Sequence, residues 1–262
     1  MCDSMILLEK SPYLQVEHLL NEANIHYPLL LSILDGDVPG RVLVDQEMPT
    51  AALVISNYRW VYYLGNESNL SFVTEAVDFL KEDDGPLIWF GISQVLKQAC
   101  HSFRAVVFLD YPRIRYLFNE SAFTLPEPSV FVDAEAQISP INCANIDAAM
   151  EFSPSFHQFW NGPERFLERG FGFVMMRQRM IVSQVIAASV ARGEVEVNIE
   201  TIESCRGNGY ASRLCYTFVQ TCLDKGLLPK WDCMTENEPS KALARRLGFE
   251  ELETYPVAVM QF

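Results

Sequence analysis

The sequence predicts an α/β (α+β) protein of two domains, each a mixed, mostly antiparallel sheet flanked by helices. Three observations carry that expectation. Residues 170–261 read in the order β-β-β-α-β-α-β. Residues 41–109 pass through a fainter version of the same order. Between them, Pro126-Glu127-Pro128 places two prolines close together, which enforces extended backbone and blocks helix. The expected domains are therefore 1–126 and 127–262.

In the first half, residues 41–45, 51–56 and 60–64 are runs rich in Val, Ile, Leu and aromatics, as strands are. Asn69 is placed to cap a helix running to Leu80. Residues 87–92 read as a strand, 94–102 as a helix and 105–109 as a strand. In the second half, 156–168 is helical, and 170–177 and 180–191 are strands joined by a tight turn at Gln178-Arg179. Residues 193–202 alternate apolar and charged side chains with period two, the mark of a strand with two unlike faces. Behind a glycine turn, Leu214, Phe218 and Cys222 recur at helical spacing, and Lys225-Gly226 supplies a left-handed stop. A strand over 230–234 follows. Next comes a helix over 239–247 with proline in its first turn, and then one or two strands over 251–261.

Composition narrows the function classes. The chain has 262 residues, 49% of them apolar, with 17 Phe and 10 Tyr, so core material is ample for two modest domains. A net charge of −14 argues against a nucleic-acid or anionic-membrane partner. Residues 204–246 are the exception. There seven Lys/Arg stand against four acids, a local +3 around the glycine turn. Seven cysteines without a C-x-x-C pair, no basic start and no long apolar run lead to the expectation of a reduced, cytoplasmic, membrane-free protein. His18, His26, His101 and His157 have no metal spacing, so no metal site is expected. No Ser/His/Asp constellation forms around a nucleophile turn.

Arg206-Gly207-Asn208-Gly209-Tyr210-Ala211 is the richest stretch. Strand, glycine turn and helix can hold an anion, because N–H groups at the helix N-terminus point outward and the dipole adds partial positive charge. Glycines at 207 and 209 remove the β-carbons that would hold a phosphate off the backbone. There is no Gly-Lys-Ser/Thr ending, and the preceding strand is charged on one face, so neither a Walker loop nor a dinucleotide-binding unit fits.

Arg206-x-x-Gly209-x-Ala211 resembles the pyrophosphate loop of the GCN5-related N-acetyltransferases, written Gln/Arg-x-x-Gly-x-Gly/Ala. Asn237-x-x-Ser240 with Leu247-Gly248-Phe249 resembles the second signature of that family, in the right order and at the right separation. The resemblance covers residues 127–262 and is to the two-domain members. It implies acetyl-CoA or coenzyme A as cofactor, with Arg206, Gly207, Asn208, Gly209, Tyr210, Ala211 and Ser212 around the pyrophosphate. It further implies that Ile199, Glu200 and Thr201 pair through the backbone with the pantetheine arm, and it adds Asn237 to the binding set. The first half offers Gly65-Asn66-Glu67-Ser68-Asn69 at the corresponding point, with an acid and no Arg, so a degenerate half without a cofactor loop is expected.

Three carboxylates are candidates for the general base: Asp232, where some family members carry a catalytic Glu, and then Glu196 and Glu200, which share one strand face. Burial or like charge raises a carboxylate pKa toward the working range. The position seven residues after Asn237, where the family often has Tyr, is Ala244, so that hydroxyl is missing. That leaves water, Tyr210 or Tyr255 as the source of a proton for the leaving thiolate, or departure of the thiolate unprotonated. The resulting expectation is acetyl transfer from acetyl-CoA to a primary amine of a small, cationic molecule by direct attack on the thioester. The alternative is a catalytically weak or inactive acyl-CoA-binding sensor or scaffold. The first half is expected to cover one wall of the acceptor cleft or to pack against a second subunit in a homodimer.

Overall fold

The computed structural model describes residues 5–9, 13–21, 27–81, 85–103, 106–124, 133 and 135–262. The prolines at 126 and 128, His26 and Cys2 lie outside them.

The strands in chain order are β1 (Ile6–Leu8), β2 (Gly40–Val44), β3 (Ala51–Ser56), β4 (Trp60–Gly65), β5 (Leu87–Phe90), β6 (Val107–Asp110) and β7 (Arg113–Phe118), followed by β8 (Ala136–Pro140), β9 (Gly172–Arg177), β10 (Met180–Ala191), β11 (Glu194–Thr201), β12 (Leu228–Met234), β13 (Phe249–Tyr255) and β14 (Val257–Gln261). The α-helices are α1 (Pro28–Asp35), α2 (Leu70–Lys81), α3 (Gln94–Phe103), α4 (Ile146–Phe152), α5 (Phe156–Phe159), α6 (Pro163–Arg169), α7 (Tyr210–Asp224) and α8 (Glu238–Arg246).

Two seven-stranded sheets result. The first runs β1-β2-β3-β4-β5-β14-β6 and the second β13-β7-β12-β11-β10-β9-β8. Pairing is antiparallel along β1 to β4 and along β8 to β11, and turns parallel at β4·β5 and β11·β12. This is the mixed, mostly antiparallel α/β arrangement the sequence predicts.

Membership of the sheets differs from a division at 126/127. The compact units are Met1–Arg113 with Thr254–Phe262, and Ile114–Glu253. The reason lies in two apolar edges. On β7, Ile114, Tyr116 and Phe118 face the core of the second unit, where the Phe118 and Phe249 rings sit 5.1 Å apart. Pro256 breaks the final strand in two, and Ala258 and Met260 of β14 are buried in the core of the first. Each sheet is completed by a strand from the other half of the chain.

Within the second unit, β10 lies between β9 and β11 and is buried over most of its length, as its near-continuous apolar sequence requires. The helix α7 buries Leu214, Cys215, Phe218, Val219 and Cys222 on one face and ends at Gly226, φ +68°, where the Leu227 amide donates to the Cys222 carbonyl at 2.8 Å. That six-to-one bond closes a Schellman stop. The β9–β10 turn takes φ +50° at Gln178 and +66° at Arg179, the double left-handed geometry of a two-residue hairpin.

Candidate functional site

The strand β11 pairs with β12 only over Glu194–Glu196 against Leu228–Lys230, and beyond that point no pairing continues. Past the divergence comes the glycine turn. Gly207 has φ +80° and Gly209, the residue preceding α7, has φ +76°, both in the left-handed region that favours glycine. The first bond into the helix is Arg213 N–H to the Gly209 carbonyl at 3.1 Å, which leaves the amides of Tyr210, Ala211 and Ser212 without helical acceptors. A β-carbon at Gly207 would meet no protein atom within 4 Å. The turn is tied back by Asn208 Nδ2 donating to the Cys205 carbonyl at 3.1 Å and by Arg206 Nε donating to the Thr201 carbonyl at 3.3 Å.

This turn opens on a cavity of about 1080 Å³. All eleven residues expected to hold the cofactor line it: Ile199, Glu200, Thr201, Arg206, Gly207, Asn208, Gly209, Tyr210, Ala211, Ser212 and Asn237. Outward amides, two left-handed glycines with open space above Gly207, and the guanidinium groups of Arg206 and Arg246 fit a pyrophosphate-bearing cofactor. Across the cavity, the Asn237 side chain accepts from the Ser240 amide at 3.1 Å and caps α8, while Ser240 Oγ accepts from Trp231 Nε1 at 3.1 Å. The Asn-x-x-Ser spacing is thereby a helix cap braced on β12. Gly248, φ +82°, is confined because a β-carbon there would stand 2.9 Å from the Asn119 carbonyl oxygen.

The first unit's counterpart is closed. Gly65 also has a positive φ, but a β-carbon on it would meet the Thr50 carbonyl oxygen at 2.3 Å. The Asn66 amide donates to that same oxygen, and Glu67 Oε2 accepts from Ser93 Oγ at 2.6 Å.

The three candidate bases separate. Glu194, Glu196, Asn198 and Glu200 share one face of β11, and by the register Glu196↔Lys230 the side chain of Asp232 projects from the same face of β12. Glu200 lines the cavity; Glu196 and Asp232 are not among its lining residues. Glu194 is paired with Lys230 Nζ at 2.8 Å. Two serines from the α4–α5 corner donate to Glu200 Oε1, Ser153 Oγ at 2.8 Å and Ser155 Oγ at 2.8 Å.

Ala244 is completely buried in the second core, so the helix offers no hydroxyl at that position. The Tyr210 hydroxyl donates to Asp133, itself bound by Arg177 Nε at 2.9 Å. That bond, together with burial, raises the Tyr210 pKa, and the same bond holds Asp133 below the usual carboxylate range against the opposing effect of burial. Tyr255 lies away from the cavity, 5.6 Å ring to ring from Tyr27 in the first unit. His157 is exposed and outside the lining, and Trp160 is a core residue whose Nε1 donates to the Ala187 carbonyl at 2.8 Å. Among the described residues no group of three or more His, Cys, Asp or Glu side chains could hold a metal, and no helix is long and apolar enough to cross a membrane.

Several lining residues escape the sequence reading. Pro239, Ser240, Leu243 and Arg246 follow helical periodicity from Asn237, so that face of α8 was open to inference. Asp133 and the Ser153–Ser155 corner carry no local signal, because their importance comes from contacts with residues 44 to 77 positions away.

Comparison with known proteins gives a consistent account. The GNAT acetyltransferase family model matches residues 17–258. An uncharacterized N-acetyltransferase of Bacillus subtilis (strain 168), YdfB, is 25% identical over 239 residues, 86% of this chain and 87% of that protein. Among solved structures, a GCN5-related N-acetyltransferase-like protein from Streptococcus suis 89/1591 superposes with TM-score 0.75 at 21% identity over 95% of this chain and 98% of that one. A tandem GNAT protein from the clavulanic acid biosynthesis pathway superposes with TM-score 0.66 at 12% identity, over 98% of both chains.

Proposed function

The chain belongs to the GNAT acetyltransferase family and is an acetyl-CoA-dependent N-acetyltransferase, and we propose that it acetylates a primary amine of a small, cationic molecule by direct attack on the thioester. When bound, acetyl-CoA supplies the thioester carbonyl that the amine attacks.

The observation that carries this reading is that the residues of the glycine turn and Glu200 line one cavity. The amides of residues 210–212, with Arg206 and Arg246, hold the pyrophosphate end. The free backbone edge of β11 beyond Glu196 orients the arm toward the carboxylate face. Glu200 takes the proton from the attacking amine. Glu194, Glu196 and Asp232 on the same sheet face set a negative potential that draws in a cation, offset in part by Lys230. The local +3 around the turn and the −14 of the whole chain divide the same way. The first unit carries no cofactor; the packing of Gly65 against Thr50 supports this.

Of the three carboxylates, Glu200 ranks first here, ahead of Asp232 and Glu196, because it alone of the three reaches the cavity lining. Thiol release from acetyl-CoA with a library of primary amines, run beside a thermal-shift titration with CoA, tests the reading. Turnover on a diamine, lowered about 10²- to 10⁴-fold in Glu200→Gln, is the expected outcome. If Asp232→Asn shows that loss and Glu200→Gln does not, the base lies on β12.

The buried methyl of Ala244 favours a second reading, an acyl-CoA-binding sensor without efficient chemistry. Stabilisation by CoA without turnover on any amine selects it.

A further inference from the structure

Ser153-Pro154-Ser155 forms the corner between α4 and α5. Ser153 is extended, φ −124° and ψ 103°, as a residue before proline must be, and Ser155 opens the next helix at φ −64° and ψ −20°. Serines at helix ends ordinarily bond their own backbone. Neither does so here. Ser155 makes no side-chain cap, and both hydroxyls instead reach a carboxylate more than forty residues on, at 2.8 Å each. Ser153 is fully buried.

The three oxygens form a closed triangle. Besides the two contacts to Glu200 Oε1, the serine hydroxyls lie 2.7 Å from each other. Asn198 Nδ2 donates to Ser155 Oγ at 3.4 Å. Each serine has one hydroxyl proton to give. With Glu200 ionised, two protons must serve three contacts, and one pair of oxygens faces across an unfilled edge. A proton on Glu200 fills that edge and closes a ring in which every oxygen donates once and accepts once. Glu200 Oε2 receives no hydrogen bond from the described residues, and Glu200 is one of the residues that line the cavity.

Resting on the acetyltransferase reading above, we propose that Ser153 and Ser155 are positioning residues which hold Glu200 by one carboxylate oxygen and leave the other to take the proton of the amine. The N–H bond of the amine breaks as an O–H bond forms on the outward oxygen of Glu200. A half-turn about Cγ–Cδ brings that proton into the triangle. Among the described residues, other polar and charged groups lie on the elements around this carboxylate. On its own strand they are Glu196 and the Lys230-paired Glu194, on β12 Asp232, and on β10 the neutral Gln184, directly opposite in register. Asp147, Glu151 and His157 on α4 and α5 are exposed to solvent.

The test uses the full chain with acetyl-CoA and 1,4-diaminobutane as the probe amine. Ser153→Ala and Ser155→Ala are expected to lower kcat about 10- to 100-fold with CoA affinity unchanged, the scale of a misplaced catalytic group. Ser155→Thr, which keeps the hydroxyl, should recover most of the loss. In a Glu200→Gln background the serine changes should cost nothing further, because groups acting as one unit are not additive. A merely structural serine would lower kcat in both backgrounds. Wild-type kcat in the serine variants, with Glu200→Gln impaired, overturns this inference and leaves the acetyltransferase reading standing. Full activity in Glu200→Gln overturns the inference together with the choice of base. A crystal structure of the double serine variant decides the matter even if the diamine is not turned over: a Glu200 carboxylate turned from its present place is expected, and an unmoved one refutes the positioning role.

Discussion

Replacing Gly207 with Asp separates the anion-holding role of the turn from its role in folding. The φ of +80° costs a non-glycine residue about 1–2 kcal/mol, and Asp tolerates that region better than most. Nothing else resists the change, since a β-carbon there meets no atom within 4 Å. The variant should therefore fold with a loss of about 1 kcal/mol. Cofactor binding should suffer far more. A carboxylate about 4 Å from a phosphate at an effective dielectric of about 20 costs about 4 kcal/mol, or roughly a thousandfold in Kd. CoA at about a hundredfold over its wild-type Kd stabilises the fold by about 2.7 kcal/mol. The same concentration is then about a tenth of the variant's Kd, and the thermal shift vanishes. The assay is differential scanning fluorimetry over a CoA titration at low salt, with Gly207→Ala as the control that carries the backbone strain without the charge. Gly207→Ala should keep most of the shift. A folded Gly207→Asp protein with an undiminished CoA shift would refute the reasoning.

Three further expectations follow from the same geometry. Calorimetry should find one CoA site per chain, because Gly65 is packed against Thr50 whereas Gly207 is open; two equivalent sites contradict this. Burial alone would raise the Asp45 pKa, but bonds from Thr50, Ala51 and Asn69 outweigh it and hold the group below its ordinary value. Its stabilising effect is then present above about pH 4 and lost as pH falls through the lower folded value, so Asp45→Asn should lose about 1–3 kcal/mol at neutral pH in urea melts and converge on wild type only once the pH has fallen below that lowered value. Gly248→Ala should cost at least about 1–3 kcal/mol in the same melts, since left-handed strain adds to a β-carbon 2.9 Å from backbone at Asn119; an unchanged midpoint would show that the 119–123 loop yields freely.

Much of this was legible in the sequence because it is local. The alternation of residues 193–202, the paired glycines at 207 and 209 and the Asn237 cap are each written within a few residues, and the structure brings them to one cavity. The exchange of β7 and β14 between the two sheets was not legible. Ile114, Tyr116 and Phe118 mark a strand with an apolar face, but periodicity states that a face is buried and not which sheet buries it. The same limit hid Ser153 and Ser155, whose partner Glu200 stands on a strand more than forty residues downstream. Glu200 ranked last of three carboxylates in sequence, because strand alternation puts Glu196 and Glu200 on one face without saying which lies past the point where β11 and β12 part.

The central claim is that the glycine turn and Glu200 serve one bound molecule, and a crystal structure of the CoA complex tests it most directly. The account predicts pyrophosphate oxygens within hydrogen-bonding distance of the amides between Gly207 and Ser212, the pantetheine arm along residues 199–201, and the thiol end on the Glu200 side of the cavity. CoA bound over residues 65–69, or held with its thiol remote from Glu200, would contradict it.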